Sequence, residues 1–159
     1  MSRYRIEMLR GQDRTAFASG SPELDDYLRT RASQDMRRRV ASCFVAVDDN
    51  NIVAGFYTIA ATSLVLDGLR ADHAIRLPRY PAIPAVLLGR LAVALSHQGK
   101  RLGGALVADA LLRATHSEVM AYAMVVDAKD EPAARFYAHL GFERLGDDRR
   151  RLIRALCMA

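Results

Sequence analysis

"VLLGRLAVALSHQGKRLGGALVADALL", residues 86–112, decides how this chain folds. Residues 86–95 are apolar on both faces, as a strand in the interior of a sheet would be. From Leu102 onward the apolar residues recur at helical spacing, which predicts an amphipathic helix over 102–116. The stretch between is loose, glycine-bearing and basic. Gly99, Gly103 and Gly104 lack a Cβ, so the backbone can turn tightly and come close to a ligand. A helix starting beside such a loop aims its positive end and its unpaired N–H groups at it. Lys100 and Arg101 add full charges. The stretch therefore reads either as a plain turn or as an anion site that fits a pyrophosphate. It matches neither G-x-x-x-x-G-K-[ST] nor G-x-G-x-x-G, which argues against nucleoside triphosphate and nicotinamide chemistry.

Working outward, "AYAMVVDA" (121–128) reads as a second buried strand. Strand, helix, strand implies a parallel pair with a right-handed crossover. "DEPAARFYAHLGF" (130–142) reads as a short helix, with Asp130 as its cap, Pro132 early and Gly141 at its end. Upstream, "SPELDDYLRTRASQDM" (21–36) reads as a helix capped by Ser21, with Leu24, Tyr27, Leu28, Ala32 and Met36 on its apolar stripe. "CFVAVD" (43–48) and "IVAGFYTIAATSLVL" (52–66) read as strands joined by a hairpin turn. "LPRYPAIPAV" (77–86) holds three prolines and is expected as an extended loop or edge. The tail, 142–157, reads as two strands around "GDDRR". The order predicts a mixed sheet with helices on its faces, with no internal repeat and no linker.

The 159 residues suit one domain with a real core, and 51% apolar with 26% charged is the composition of a soluble globule. No apolar run reaches the roughly 18 residues that a membrane helix needs. The first residues, "MSRYRIEMLRGQDRT", lack the apolar stretch of a signal peptide, so a cytoplasmic protein is expected. Cys43 and Cys157 are too few and too far apart for a disulfide framework and read as buried packing. His73, His97, His116 and His139 show no metal-ligand spacing, and no metal is expected. The net charge is +5, and "RTRASQDMRRRV" (29–40) alone holds five arginines. With "RRRLIR" (149–154) and scattered others, a basic surface for an anionic partner is expected.

Tyr137 lies on the helix after the second parallel strand. Ligands of open α/β sheets bind beyond the carboxyl ends of the strands, so Tyr137 can approach whatever the glycine-bearing loop holds. Its phenol can donate a proton, or the ring can simply fill a half-buried place in the core.

"LAVALSHQGKRLGGALVADAL" and "DEPAARFYAHLGF" together resemble the acetyl-CoA site of the GNAT superfamily of N-acetyltransferases. The superfamily's loop pattern, Q/R-x-x-G-x-G/A, appears as Gln98-Gly99-Lys100-Arg101-Leu102-Gly103, with Arg101 where the first motif glycine stands. Asp130 stands where the later motif often has Asn. "LDDYL", "NIVAGFYTIAATSLV", "LPRYPAIPAVLLGRLAV" and "ARFYAHLGF" occur in that order, and the set, over residues 17–146, is similar to the GNAT toxins of bacterial type II toxin–antitoxin systems. The resemblance implies an α+β fold: a central mixed, mostly antiparallel sheet with one splayed parallel pair and flanking helices, as a single domain over 1–159. It implies transfer of an acetyl group from acetyl-CoA to the α-amine of an aminoacyl-tRNA, blocking translation. It implies a ribbon-helix-helix antitoxin and a homodimer as partners.

By the same resemblance the cofactor is held by Leu91, Ala92, Val93, Gln98, Gly99, Lys100, Arg101, Leu102, Gly103, Gly104, Ala105, Asp130, Ala133 and Phe136. Tyr137 is the general acid. Arg37, Arg38, Arg39, Arg79, Arg90, Arg149, Arg150 and Arg151 are the candidates to meet tRNA. An α-amine titrates at about 7.7–8.0, and an adjacent ester lowers it further, so no strong protein base is required. Two other readings stay open at this point. One is a GNAT enzyme of a small amine or a protein N-terminus, and the other a basic binding module on an inactive acetyltransferase fold.

Overall fold

A computed structural model describes residues 3–65, 82–145 and 148–156 of the chain. The fold is a mixed α+β sheet of seven strands flanked by helices. Its strands are β1 (Arg5–Met8), β2 (Ser42–Val47), β3 (Val53–Val65), β4 (Ala82–Val93), β5 (Ala123–Asp127), β6 (Glu143–Leu145) and β7 (Asp148–Ala155). Their order across the sheet is β1-β2-β3-β4-β5-β7-β6. The β4–β5 pair is parallel, with Ala85 opposite Ala123 and Leu88 opposite Val126. The pairs β1–β2, β2–β3, β5–β7 and β6–β7 are antiparallel. By its contacts the chain divides into two compact units, Met1–Ala60 with Gly89–Ala110, and Ala61–Leu88 with Leu111–Ala159.

In the first unit, β2 and β3 form the expected hairpin. The Asp48 carboxylate caps its turn by accepting from the N–H groups of Asn50 and Ile52 at 2.9 and 3.0 Å. The helical segment begins at Pro22 and is capped by the Ser21 hydroxyl, which accepts from the Leu24 N–H at 3.4 Å. Where the sequence reads one helix over 21–36, the structure has two short α-helices, α1 (Pro22–Asp26) and α2 (Ala32–Arg37), around a single π turn at Tyr27–Arg31. The Ala32 N–H reaches back to the Tyr27 carbonyl, one residue further than in an α-helix. α2 ends with Arg39 in the left-handed region (φ 62°), while Val40 N–H bonds the Asp35 carbonyl and Arg39 N–H the Met36 carbonyl. This is a Schellman ending with arginine where glycine is usual.

Within the first unit, the N-terminal part of helix α3 (Leu102–Thr115) lies against β3 at Gly55. The contact is possible because residue 55 has no side chain. A Cβ there would meet Leu106 Cδ1 at 3.0 Å, the Ala92 carbonyl at 3.1 Å and Leu102 Cδ2 at 3.3 Å. Tyr57, two residues on and so on the same face of β3, donates its hydroxyl to Asp109 of α3 at 2.7 Å. The intervening Phe56 faces the other way and stacks on Tyr27 of the π turn. On that face Leu9, Phe17, Leu28, Val45 and Val47 complete a buried apolar cluster.

In the second unit β5 is buried between its neighbours, and Leu64, Ile83, Ala85, Val125, Leu145 and Ile153 pack into its core. Helix α4 (Glu131–His139) starts at Asp130, whose carboxylate accepts from the Ala133 N–H at 2.9 Å. The proline-bearing stretch departs from its reading as loop or edge, since β4 begins at Ala82 and takes in Pro84. Proline lacks only the donor, and the Pro84 carbonyl still accepts from the Tyr122 N–H at 2.9 Å. Residues 77–81 lie outside the described residues. β1 was not expected from the sequence: it is four residues long and half-exposed, and shows no clean alternation. Cys43 is a buried free thiol, while Cys157 and His73 lie outside the described residues. No helix among the described residues is long and apolar enough to cross a membrane.

The Gly55 contact yields a stability prediction. Gly55→Ala forces α3 away from β3 and lowers unfolding stability by about 1–3 kcal/mol. The midpoint of urea unfolding should fall with no change in slope, and an unchanged midpoint would show that the contact has slack.

Candidate active site

The end of β4 and the head of α3 are joined by a short, pinned loop. Ala92 is buried at the end of the strand, with Leu91 and Val93 half-buried beside it. A single 3-10 turn, Leu95–His97, follows. The Gln98 side-chain amide donates to the carbonyls of Val93 and Ser19, both at 3.0 Å, and so fixes the loop's first residue at two points. Gly99 has φ +80°, and a Cβ there would meet nothing within 4 Å. Lys100 and Arg101 are exposed and form no ion pair among the described residues.

Arg101 has φ 63°, the left-handed region that glycine enters freely. The family's glycine at this position is thus explained by backbone geometry, and the arginine takes up the same turn under strain. The loop stays open, and its substituted residue turns its charge outward. Leu102 is buried against β3, which orients the first turn of α3. The Ala105 N–H is satisfied by the Arg101 carbonyl at 3.2 Å. The N–H groups of Leu102, Gly103 and Gly104 have no acceptor within the helix. With the dipole of a 14-residue helix behind them and two cations beside them, they form a cradle that suits a pyrophosphate. The residues present fit the phosphate end of a nucleotide cofactor. One ring nitrogen of His97, Nδ1, is taken up by the Tyr4 hydroxyl 2.7 Å away.

In the second unit, α4 presents Ala133 and Phe136 half-buried and Tyr137 at only 7% exposure. The Tyr137 ring is held edge-on by Phe136 and Phe142, with centroids 5.0 and 5.6 Å away. Its hydroxyl has no hydrogen-bond partner among the described residues. Burial pushes the phenol up to about 12, so it stays protonated throughout the neutral range. The carboxylate of Asp130 is engaged in capping α4.

The basic candidates differ in availability. Arg37, Arg38 and Arg39 are exposed together at the end of α2. Arg150 is exposed, and one of its guanidinium nitrogens donates to the Lys129 carbonyl at 3.3 Å. Arg151 is tied across the strand pair to Asp127 at 2.9 Å, so much of its charge is answered locally. Arg90 is half-buried in β4, its guanidinium carbon 3.7 Å from the centroid of the Tyr27 ring. Arg79 and the side chain of Arg149 lie outside the described residues. Sequence reasoning placed Tyr27 on an apolar stripe and missed its polar role: its hydroxyl donates to Asp35 at 2.8 Å. No cluster able to hold a metal ion occurs among the described residues.

Residues 39–144 match the acetyltransferase (GNAT) domain family. A tRNA-acetylating toxin of Mycobacterium tuberculosis is 38% identical over 135 residues, which cover 82% of this chain and 78% of that one. The structure of AtaT complexed with acetyl-methionyl-tRNAfMet superposes with a TM-score of 0.89 at 28% identity, covering 96% of this chain and 94% of that one. A tyrosine-to-phenylalanine mutant of AtaT, bound to the C-terminus of the antitoxin AtaR and to acetyl-CoA, superposes with a TM-score of 0.82 at 27% identity, covering 98% and 94%. The chain belongs to the GNAT acetyltransferases and is similar to the tRNA-acetylating toxins among them.

Proposed function

We propose that this chain is the toxin of a toxin–antitoxin pair and transfers the acetyl group of acetyl-CoA to the α-amine of an aminoacyl-tRNA, stopping translation. The observation that carries this reading is the pinned loop at the head of α3, with free backbone N–H groups, an open Gly99 and two cations unpaired among the described residues. The similarity to tRNA-acetylating toxins names the acceptor class.

Acetyl-CoA, when bound, supplies the acetyl group as a reactive thioester. The N–H groups of Leu102, Gly103 and Gly104, flanked by Lys100 and Arg101, hold its pyrophosphate. Backbone N–H groups around Ala92 and Val93 polarise the carbonyl, at the point where β4 runs on beyond its last rung with β5 at Leu88. The amine nitrogen bonds to the carbonyl carbon as the carbon–sulfur bond breaks, Tyr137 gives its proton to the departing sulfur, and the proton shed by the nitrogen passes to solvent. No residue need act as a strong base, since the amine is substantially neutral near pH 7. Arg37, Arg38, Arg39, Arg79, Arg90, Arg149 and Arg150 meet tRNA phosphates, with Arg151 contributing less. The chain, residues 1–159, acts as one catalytic domain in the cytoplasm. A ribbon-helix-helix antitoxin neutralises it, and a homodimer aligns two basic faces for one tRNA.

The direct test uses purified protein, radiolabelled acetyl-CoA and total tRNA, charged or deacylated. Label is expected on charged tRNA only. Label on free amines or peptides, with none on tRNA, would instead identify an N-acetyltransferase of small amines or protein N-termini. Tyr137→Phe is expected to keep acetyl-CoA binding within about twofold and to lower kcat by about 10²–10⁴-fold. Near-normal turnover would remove Tyr137 as the acid.

The pH profile follows from the same group. An acid is lost as pH rises through its folded pKa, here about 12. kcat/KM should therefore rise as the ammonium of the acceptor loses its proton and stay level from about pH 8.5 to 10. A decline within that window would require a different acid.

Arg101→Gly separates backbone from charge. It relieves the left-handed strain and is expected to raise stability by about 0.5–1 kcal/mol in thermal unfolding. The lost cation weakens acetyl-CoA binding by no more than about fivefold, because the charge is exposed.

A further inference from the structure

Among the described residues Arg90 is a cation without a counter-ion. It lies half-buried within β4, and among the described residues no carboxylate or other acceptor reaches its guanidinium. A partly desolvated charge left unpaired is unfavourable, so what holds it there matters. It is held by a face: Tyr27, only 2% exposed, carries the guanidinium at 3.7 Å over its ring. The ring is fixed in turn by stacking on Phe56, with planes 17° apart, and by its hydroxyl bond to Asp35 at 2.8 Å. Donation to a carboxylate enriches the ring in electrons and strengthens its hold on a cation. Burial and the Asp35 bond push the phenol far up against the pull of Arg90, so the ring remains neutral. Arg31 approaches the same ring at 5.5 Å, and Tyr27 itself opens the π turn, an element that recurs at functional sites. Contact through a guanidinium face leaves the N–H donors in its plane available.

The ligand of those donors is not the group that the head of α3 would cradle. Along β3, Gly55 and Tyr57 face α3, whereas Phe56 faces Tyr27. Alternation along a strand puts the two sets on opposite sides of the sheet. Arg90 thus stands on the side of α1 and α2, where Arg37, Arg38 and Arg39 continue the same helical segment.

We propose that Arg90, presented on a platform of Tyr27 and Asp35, binds a backbone phosphate at the acceptor end of the tRNA. This rests on the tRNA reading above. Arg90 is the binding residue, while Tyr27 and Asp35 are positioning residues that act through it.

The test combines steady-state acetylation of total charged tRNA with equilibrium binding of the same tRNA at several salt concentrations. Arg90→Gln is expected to raise KM for tRNA by about ten- to a hundredfold, with kcat nearly unchanged. It should also flatten the slope of log affinity against log salt by about 0.7, one contact on a single strand. Arg90→Lys keeps the charge and the slope but still raises KM, because it lacks the planar fork. Tyr27→Leu reproduces the KM effect and adds little to Arg90→Gln in the double variant, whereas Tyr27→Phe, which keeps the ring, retains most of the wild-type KM. Acetyl-CoA affinity stays constant throughout, read by calorimetry. Unchanged KM and slope in Arg90→Gln, with wild-type labelling of tRNA intact, would overturn this inference alone. Equal weakening of acetyl-CoA binding would give the phosphate to the coenzyme and overturn it too. Failure of the unaltered chain to bind or label tRNA would overturn it together with the proposed function.

Discussion

The close approach of α3 to β3 at Gly55 is the constraint on which the loop depends. With Leu106, Leu102 and the Ala92 carbonyl all within 3.3 Å of an absent Cβ, the helix has one seating on the strand. Leu102 belongs to that contact and to the first helical turn at once. The direction in which the first N–H groups point is therefore set by core packing. Gln98 completes the arrangement from the other end, through its bonds to Val93 and Ser19. A site whose donors are fixed in folding loses little freedom when a ligand arrives.

The sequence displayed those parts of the molecule whose signals are local. α3, α4 and the strands around them carry long apolar patterns, and the Asp130 cap and the Gly141 stop behave as their residue types suggest. The loop pattern marked Arg101 as standing in a glycine's place, and the structure supplies the reason, a left-handed backbone there. What escaped was either short or tertiary. β1 has four half-exposed residues, too few for alternation to emerge. A π turn adds one residue to a helix whose apolar stripe still looks continuous, so Tyr27 read as plain core. The strand through Pro84 hid behind a residue that lacks only half of its pairing groups. The stacking of Arg90 on Tyr27 and the pairing of Arg151 with Asp127 join distant stretches of chain, and nothing near any of the four residues announces them.

Counting arginines overstates the basic surface. Arg151 is answered by Asp127, and Arg90 is half-buried, while Arg37, Arg38 and Arg39 stand open. Two arginines occupy left-handed backbone, Arg39 at the end of α2 and Arg101 before α3. Such a conformation costs a residue with a side chain about 1–2 kcal/mol. Glycine would serve both turns more cheaply.

The burial of Tyr137 has a thermodynamic consequence for the step assigned to it. A phenol held at about 12 is a weaker acid than a thiol, which ionises near about 8.5. Handing a proton from such an oxygen to a fully formed thiolate runs uphill by roughly 3–4 pK units, or about 5 kcal/mol. The transfer therefore fits a concerted event, in which cleavage of the carbon–sulfur bond and formation of the amide carry along a proton transfer that would be uphill alone. In the proposed role, the phenolate must take a proton back from solvent before Tyr137 can serve as an acid again.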